Sequence, residues 1–264
     1  EEFASKYGVT KIFTNLKEMA VSQEIDAVYI ATPNSYHAEQ AILFLQNGKH
    51  VLCEKPLAVN ATEVARMIQA AKDHNALLME AMKSTLLPNF KVIQDNLHKI
   101  GSISRYFASY CQYSSRYDKY KEGIVLNAFN LEFVNGSFPL ITLFGEPKEV
   151  KATGIMLDSG VDGEGSVILK YDDKDAIVMY SKITNSYLPS EIQGEKGSIM
   201  IDKIHTAEKV EIHYTDGTVE QLTVDQSHPA MYYEVKEFIE LINRGSLILT
   251  HIKTHTPRYK CWIK

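Results

Sequence analysis

The stretch "DAVYIATPNSYHAEQAILFLQNGKHVLCEKPLAVNATEVARMIQAAKDHNALLME", residues 26–80, alternates short apolar runs with segments of helical periodicity. The apolar runs are residues 26–33, 50–53 and 76–80, and the helical segments are residues 35–47 and 61–74. Continuous apolar runs rich in β-branched and aromatic residues are typical of strands buried on both faces of a parallel sheet. Asn60 and Glu63 form a capping box before the second helical segment. This order of elements predicts right-handed βαβ units in a doubly wound, Rossmann-like parallel sheet, which a helix from Pro88 continues.

The pattern changes after Gly101, where strand signals follow one another. "ISRYFASYCQYSS" alternates like a long strand with one covered face, and six shorter segments after it also read as strands. Turn residues separate them, and "YTDGT" at 214–218 predicts a hairpin with a two-residue turn. Helical periodicity returns once, from Met231 to Arg244. This half therefore predicts an α/β domain with a large, mostly antiparallel open sheet, so that the chain divides into residues 1–101, residues 102–245 and a tail at 246–264.

Composition and charge exclude several classes of protein. The 264 residues carry a net charge of −5 and are 45% hydrophobic and 23% charged, which is ordinary for a globular chain and favours neither nucleic acid nor a membrane surface as a partner. No apolar run approaches the ~20 residues of a membrane span, and the first residues do not resemble a secretion signal. Because Cys53, Cys111 and Cys261 are too widely spaced for a disulfide framework, we expect a reducing, cytoplasmic setting.

Polar residues follow each of the three predicted strands of the first half. "ATPNSYH" follows the first strand, "EKP" the second and "EAMKS" the third. Ligands of open parallel sheets bind at the carboxyl ends of the strands, so we expect these three stretches to converge on one ligand site.

The chemistry of Glu54-Lys55-Pro56 can be argued from the residue types. An ammonium at a strand end can donate hydrogen bonds to a substrate hydroxyl or carbonyl, and partial desolvation lowers the pKa of an amine towards neutrality. Lys55 could therefore exchange a proton with substrate or stabilise a developing oxyanion. Glu54 could accept hydrogen bonds from sugar hydroxyls, and Pro56 would restrict Lys55 to extended backbone geometry. The alternative is a solvated Lys–Glu pair in a loop.

The stretches D-x-V-x-I-A-T-P-N-x-x-H, G-K-H-V-L-C-E-K-P and M-E-A, in this order and spacing, resemble the Gfo/Idh/MocA family of NAD(P)-dependent oxidoreductases. The resemblance covers roughly residues 1–110 closely and the rest more loosely. The segment "MEAMKSTLLPNF" is most similar to the branch that holds dimeric dihydrodiol dehydrogenase and D-xylose dehydrogenase. The resemblance implies reversible hydride transfer between the nicotinamide of NAD or NADP and a carbinol carbon of a sugar, polyol or vicinal diol.

The same resemblance implies a role for each matching residue. Lys55 would be the catalytic lysine beside the nicotinamide and the substrate hydroxyl, and Lys83 would also face the substrate. The residues that would border the cofactor are Thr32, Pro33, Asn34, His37, Glu54, Lys55, Glu80 and Ala81. The open sheet of the second half would pack against another subunit, which implies a homodimer or a higher homo-oligomer.

The sequence also departs from the family pattern in three places. It contains no G-x-G-x-x-G motif, so about forty residues with the family's first strand and glycine turn, including the acid or Arg that sorts NAD from NADP, are expected to be missing. "AFNLEFVNGSFPLITLFGEP" lacks the family's G-G-x-x-x-D-x-G-x-Y-like segment, which supplies an Asp or His and a Tyr to the substrate pocket. The tail, with four Lys or Arg and no acid, does not resemble the family's closing helix.

Other chemistry-bearing residues have plainer interpretations. His251 and His255 with Cys261 could bind a metal if the tail were helical, but stray residues of an altered terminus are the simpler interpretation, and we predict no metal site. His205 is interpreted as an ordinary sheet or turn residue.

A rival hypothesis is a non-catalytic family member that serves in assembly. An exposed apolar sheet face, carrying Val167, Leu169, Ile177 and Met179, would then be its working surface.

Overall fold

The computed structural model describes residues 2–114, 128–160 and 162–245, with side chains of the helix at 128–144 described from Asn135 onward. Two compact units result: residues 2–80 together with the end of the last helix from Leu241, and residues 81–240. The tail that carries His251, His255 and Cys261 lies outside the described residues. Within the described part, no helix is long and apolar enough to cross a membrane.

The first unit is built around a three-stranded sheet in the order β1-β2-β3. Its elements are α1 (Glu2–Lys6), α2 (Leu16–Val21), β1 (Ala27–Ile30), α3 (His37–Gln46), β2 (His50–Glu54), α4 (Ala61–Asp73) and β3 (Leu78–Ala81). Strands β1 and β2 pair in parallel, from Ala27 opposite His50 to Ile30 opposite Cys53. The Rossmann-like alternation is therefore confirmed, with β3 beginning two residues later than predicted.

The predicted capping box holds the start of α4. The Asn60 side chain accepts a hydrogen bond from the Glu63 backbone N–H at 2.9 Å, and the Glu63 carboxylate accepts one from the Val59 N–H at 3.4 Å. These bonds satisfy backbone donors that the first helical turn leaves without partners. The apolar stripe of α4 then buries Val64, Met67 and Ala71.

The second unit is dominated by an eight-stranded sheet in the order β11-β10-β9-β8-β4-β7-β6-β5. Its helices are α5 (Pro88–Asn96), α6 (Ala128–Phe144) and α7 (Ala230–Asn243), the last of which ends in the first unit. Its strands are β4 (Ile103–Cys111), β5 (Glu149–Met156), β6 (Asp162–Lys170), β7 (Asp175–Ser181), β8 (Ser190–Gly194), β9 (Gly197–Ile201), β10 (Val210–Tyr214) and β11 (Val219–Gln221). Of the pairings described within this eight-stranded sheet, only β4 with β7 is parallel, so the mostly antiparallel sheet is confirmed.

Helix α6 was not predicted, because the sequence analysis assigned no secondary structure to this segment. It contains Pro139, and a proline inside a helix removes a backbone donor and disfavours the element locally. Burial overrides that preference, since Phe138 and Leu140 are in the core. Gly136 allows close packing on the sheet, because a Cβ there would meet Val178 at 2.7 Å. The Tyr106 phenol donates to the Gly136 carbonyl at 2.9 Å and ties the helix to β4.

Two details of the strand prediction are corrected. Strand β8 was missed because Glu191 and Gln193 alternate with its one large apolar residue, Ile192, which is buried. The β10–β11 hairpin is present, but its register pairs His213 with Val219, which leaves a longer turn than the two-residue one predicted. Gly217 supplies the left-handed conformation in that turn, with φ at +87°.

The exposed apolar face of the sheet is also corrected. Val167 and Leu169 lie in the core, each 0% exposed, because their partners across β7 are themselves buried. Side chains alternate between the faces of a strand, so Ile168 points to the opposite side from its two neighbours. Ile177 and Met179 share that open side with it. Of the four residues predicted to be exposed, two therefore lie on the open side, where they are half-buried, and the other two are in the core.

Candidate active site

The loop after β1 presents small polar groups at the surface. Thr32 and Pro33 are exposed, and Asn34 is half-buried at the start of a short 3₁₀ turn that leads into α3. The Thr32 hydroxyl donates to the Gln40 side chain at 2.9 Å, which ties this loop to the first turns of α3.

The loop after β2 places Glu54 and Lys55 at the end of the strand, both half-buried. The Glu54 carboxylate accepts a hydrogen bond from the Tyr29 phenol on one oxygen and, at 3.1 Å, from the Lys55 backbone N–H on the other. The carboxylate therefore links β1 to the backbone from which the Lys55 side chain extends. Pro56 and Leu57, the next two residues, are buried.

His37, the first residue of α3, connects the two loops. Its ring is buried, with 1% of the residue exposed, and its two nitrogens each lie against a backbone carbonyl. Nε2 is 2.8 Å from the Thr32 oxygen, and Nδ1 is 3.0 Å from the Pro56 oxygen. Both ring nitrogens of His37 therefore contact backbone groups of the two loops that border the predicted cofactor position.

Glu80, at the end of β3, is also buried, with 2% of the residue exposed. Its carboxylate accepts a hydrogen bond from the Leu57 N–H at 2.8 Å. Burial, together with the negative charge of Glu80, raises the pKa of the Cys53 thiol, which keeps that cysteine protonated. Ala81, the last residue of β3, is buried.

The structure thus joins the predicted stretches of the first unit into one hydrogen-bonded network. Thr32, His37, the loop at 54–57 and Glu80 are connected by side chains that brace backbone groups. Such bracing fixes the strand-end loops, which a binding site needs if its groups are to be positioned in advance. The roles assigned to the individual residues stay predictions.

Lys83, in the second unit, lies near a cluster that the sequence analysis missed. Burial first, and then the positive charges of Lys83 and Lys203, lower the pKa of His205, so its imidazole is held in the neutral form. The Tyr110 ring meets the His205 ring edge-on, with 4.8 Å between their centroids. Tyr110, Lys203 and His205 line a cavity of about 340 Å³, whose lining also includes Ser109, Gln112, Asn185 and Asp202.

Helix α5 anchors the loop that carries His205. The Asn89 side chain is buried, donates to the Ala207 carbonyl at 2.9 Å and accepts from the Val224 N–H at 2.7 Å. No local spacing in the sequence signals this arrangement, because these partners lie more than a hundred residues from Asn89. The only hint in the sequence was the charged pair Asp202-Lys203, which directly follows the buried strand β9 and precedes His205.

Comparison with known proteins identifies relatives along most of the chain. Residues 1–82 match the family model GFO_IDH_MocA, described as an oxidoreductase family with an NAD-binding Rossmann fold. The chain is 55% identical over 255 residues to scyllo-inositol 2-dehydrogenase (NADP(+)) of Bacillus subtilis, covering 93% of this chain and 78% of that protein. It is 32% identical over 213 residues to trans-1,2-dihydrobenzene-1,2-diol dehydrogenase of Xenopus tropicalis, covering 76% of this chain and 63% of that protein.

A solved structure supports the fold. Levoglucosan dehydrogenase, in complex with NADH and levoglucosan, superposes with a TM-score of 0.80 at 23% identity, covering 92% of this chain and 77% of that one. Together with the parallel sheet and the mostly antiparallel sheet, these matches establish the family. They confirm the family resemblance that the sequence motifs indicated. The chain belongs to the Gfo/Idh/MocA family of NAD-binding Rossmann-fold oxidoreductases.

Proposed function

We propose that this protein oxidises a carbinol carbon of a polyol, with a nicotinamide dinucleotide as hydride acceptor and Lys55 as the proton-transfer residue. The observation that carries the proposal is the position of Lys55, half-buried at the end of β2, on a backbone braced by Glu54 and by the buried loop that follows. The 55% identical relative is named for the 2-dehydrogenation of scyllo-inositol with NADP(+), which is the same class of reaction.

The proton balance of the reaction assigns a task to Lys55. As the carbon–hydrogen bond breaks, its electron pair leaves with the hydride, and the hydroxyl becomes a carbonyl only if its proton also leaves. The Lys55 amine takes that proton in the oxidative direction, and the Lys55 ammonium returns it in the reductive direction. The nicotinamide ring, when bound, supplies the hydride acceptor or donor.

The groups at this edge of the sheet fit the nicotinamide end of such a cofactor. Thr32 and Asn34 offer hydroxyl and amide groups, and Glu54 offers the carboxylate that ribose hydroxyls donate to. We assign these three, together with Pro33, Lys55 and Ala81, to the border of the cofactor, and His37 and Glu80 to the support of the same loops. The chain has no G-x-G-x-x-G turn to which the pyrophosphate could be assigned. The cofactor is NAD or NADP, and the name of the bacterial relative favours NADP.

The cavity in the second unit supports the proposed substrate class. A polyol presents many hydroxyl groups, and the cavity lining offers both donors and acceptors in Gln112, Asn185, Asp202 and neutral His205. We propose that Lys83 and His205 both bind substrate hydroxyls. On this assignment, residues 1–101 form the dinucleotide-binding domain and residues 102–245 form the domain for substrate and assembly.

The open face of the eight-stranded sheet supports a proposal of self-association. Ile168 is exposed, and Phe107, Ile177 and Met179 are half-buried on the same side. A face of this kind is suited to a second copy of the chain, which gives a homodimer or a higher oligomer. We also propose that the protein works in the cytoplasm, where Cys53 and Cys111, both free, would stay reduced.

Nucleotide titration tests the enzyme against the non-catalytic assembly protein. We expect NADPH or NADH to quench the intrinsic fluorescence of the protein in a saturable way, with scyllo-inositol turnover on addition of the oxidised nucleotide. A chain that self-associates but gives no saturable signal with either nucleotide would favour the assembly hypothesis and refute the enzyme assignment.

A further inference from the structure

Tyr187 is an almost fully exposed aromatic residue at the mouth of the cavity in the second unit. It lies in the loop between β7 and β8, and it is 95% exposed although it lines the cavity of about 340 Å³. Leu188, the next residue, also lines the cavity and is 59% exposed. A single exposed tyrosine needs no explanation, but this one is held in place by its neighbours at a site assigned to substrate.

Hydrogen bonds hold the backbone on both sides of Tyr187. Before it, the Ser186 N–H donates to the Cys111 carbonyl at 3.0 Å. After it, the Leu188 N–H donates to the Ser186 hydroxyl at 3.2 Å, and Pro189 disfavours helical geometry at Leu188. The exposed ring is therefore carried by a backbone with few alternative conformations.

Side chains fasten the first half of the same loop. The Ser181 hydroxyl accepts hydrogen bonds from the N–H groups of Ile183 at 3.1 Å and Thr184 at 2.9 Å. Both hydroxyls, of Ser181 and of Thr184, donate to the Glu164 carboxylate, at 3.1 Å and 3.0 Å. A loop that is already ordered loses little entropy when a ligand binds to it, which favours its use as a binding surface.

The same cavity contains polar side chains that are each fixed by one bond. The Asn185 side-chain oxygen accepts from the Tyr113 N–H at 2.9 Å, so its NH₂ group is the part that can donate to a ligand. One oxygen of the Asp202 carboxylate accepts from the Lys209 N–H at 2.9 Å, and its second oxygen can accept from a ligand. The cavity thus combines an aromatic ring at its mouth with a donor and an acceptor for hydroxyl groups.

We propose that Tyr187 stacks against the face of a ring polyol and so determines which stereoisomers the site prefers. A six-membered carbon ring whose hydroxyls are all equatorial, as in scyllo-inositol, directs only C–H bonds from its two faces. The electron-rich face of an aromatic ring attracts such C–H bonds, whereas an axial hydroxyl pressed against the same ring would lose its hydrogen bond to water. The equatorial hydroxyls remain at the edge of the polyol, where Asn185, Asp202 and His205 can bond them. The inference rests on the proposed function, which assigns the substrate to this cavity.

The stacking role is tested by calorimetric titration of scyllo-inositol into the protein in the presence of NADPH. Tyr187→Ala removes the ring, so the Kd should rise about tenfold, and Tyr187→Phe, which keeps the ring, should recover most of that affinity. Because Tyr187 is exposed, neither change threatens folding. Tyr7→Ala, at a position 61% exposed in the first unit, is the matched control and should bind like wild type. A Kd in Tyr187→Ala within about twofold of wild type overturns the inference.

The preference for stereoisomers is tested with chiro-inositol, which has one axial hydroxyl on each face of its ring. In the wild-type protein, we expect its Kd to exceed that of scyllo-inositol by at least about tenfold, and in Tyr187→Ala by no more than about threefold. The gap should narrow because the variant loses the contact that only the hydroxyl-free face can make. The same ratio in both proteins overturns the role of Tyr187 in specificity and assigns the discrimination to the polar groups.

Steady-state kinetics and gel filtration distinguish this inference from its alternatives. The loss in Tyr187→Ala should appear in KM and not in kcat, because stacking holds substrate and transition state alike. A wild-type protein that binds scyllo-inositol in this Tyr187-dependent way without turnover would support the stacking site and count against the proposed function of Lys55. A wild-type protein that does not bind scyllo-inositol overturns the stacking site. A changed oligomeric state in Tyr187→Ala, with an unchanged Kd, would also overturn it and assign the ring to a subunit contact.

Discussion

Substitution of Asn89 tests whether this side chain anchors the loop that borders the cavity of the second unit. The Asn89→Leu substitution keeps a side chain of similar size but removes a donor to the Ala207 carbonyl and an acceptor for the Val224 N–H. Because Asn89 is buried, neither backbone group regains a partner easily. Each orphaned group costs about 1–3 kcal/mol, so we expect the free energy of unfolding to fall by about 2–6 kcal/mol.

Asn96→Leu is the matched control, because it makes the same change on the same helix. Asn96 is half-buried, and its side chain donates to the Val92 carbonyl at 2.7 Å, one turn away. A carbonyl near solvent can bond water once the side chain is lost, so this variant should lose less than about 1 kcal/mol.

The assay is urea unfolding followed by circular dichroism, with thermal unfolding as a second measure. For a domain of this size, a loss of 1 kcal/mol lowers the Tm by about 2–4 °C, so Asn89→Leu should lower it by at least about 4 °C. Binding of scyllo-inositol should weaken in the same variant, because Ala207 belongs to the loop that carries His205. Equal losses in the two variants would refute the argument that Asn89 anchors this loop.

Three further predictions concern other parts of the fold. Burial lowers the pKa of His50 in the folded protein, so the unfolded chain binds a proton at His50 more tightly, and the free energy of unfolding should fall as the pH drops below about 6.5. His50→Asn keeps an acceptor for the Leu77 N–H, and it should reduce this loss of stability in urea unfolding measured at several pH values. Phe138→Ala should cost about 3–5 kcal/mol in the same assay, and a loss below 1 kcal/mol would contradict the placement of α6. The raised pKa and burial of Cys53 predict that it resists alkylation in the native protein and reacts only on unfolding, as mass spectrometry after iodoacetamide would show.

The first unit was largely predictable because its signals are local. Buried parallel strands give continuous apolar runs, and the cap at Asn60 lies within four residues of the bonds that it makes. Convergence of the strand-end loops follows from topology alone. The partners of His37 did not follow, since the carbonyls that it contacts become neighbours only after the sheet forms.

The second unit was less predictable because its decisive features are tertiary. Helix α6 contains a proline, and burial of Phe138, Leu140 and Ile141 stabilises it despite weak local preference. Alternation along β6 places Ile168 on the opposite face of the sheet from Val167 and Leu169. It does not predict which of the two faces is buried in the core. The pKa of His205 is lowered by burial and also by the charge of Lys83, a residue that is distant in sequence.

The central claim is that Lys55 transfers the proton while hydride moves, and it is tested most directly by the turnover of Lys55→Met. We expect kcat for scyllo-inositol oxidation to fall about 10²–10⁴-fold, the usual contribution of a positioned acid–base group, with NADPH affinity and the unfolding midpoint little changed. Lys72→Met, at an exposed position on α4, should match wild type in all three measurements. A Lys55→Met enzyme that turns over within about threefold of wild type would contradict the claim and leave Lys55 as a loop charge without a catalytic role.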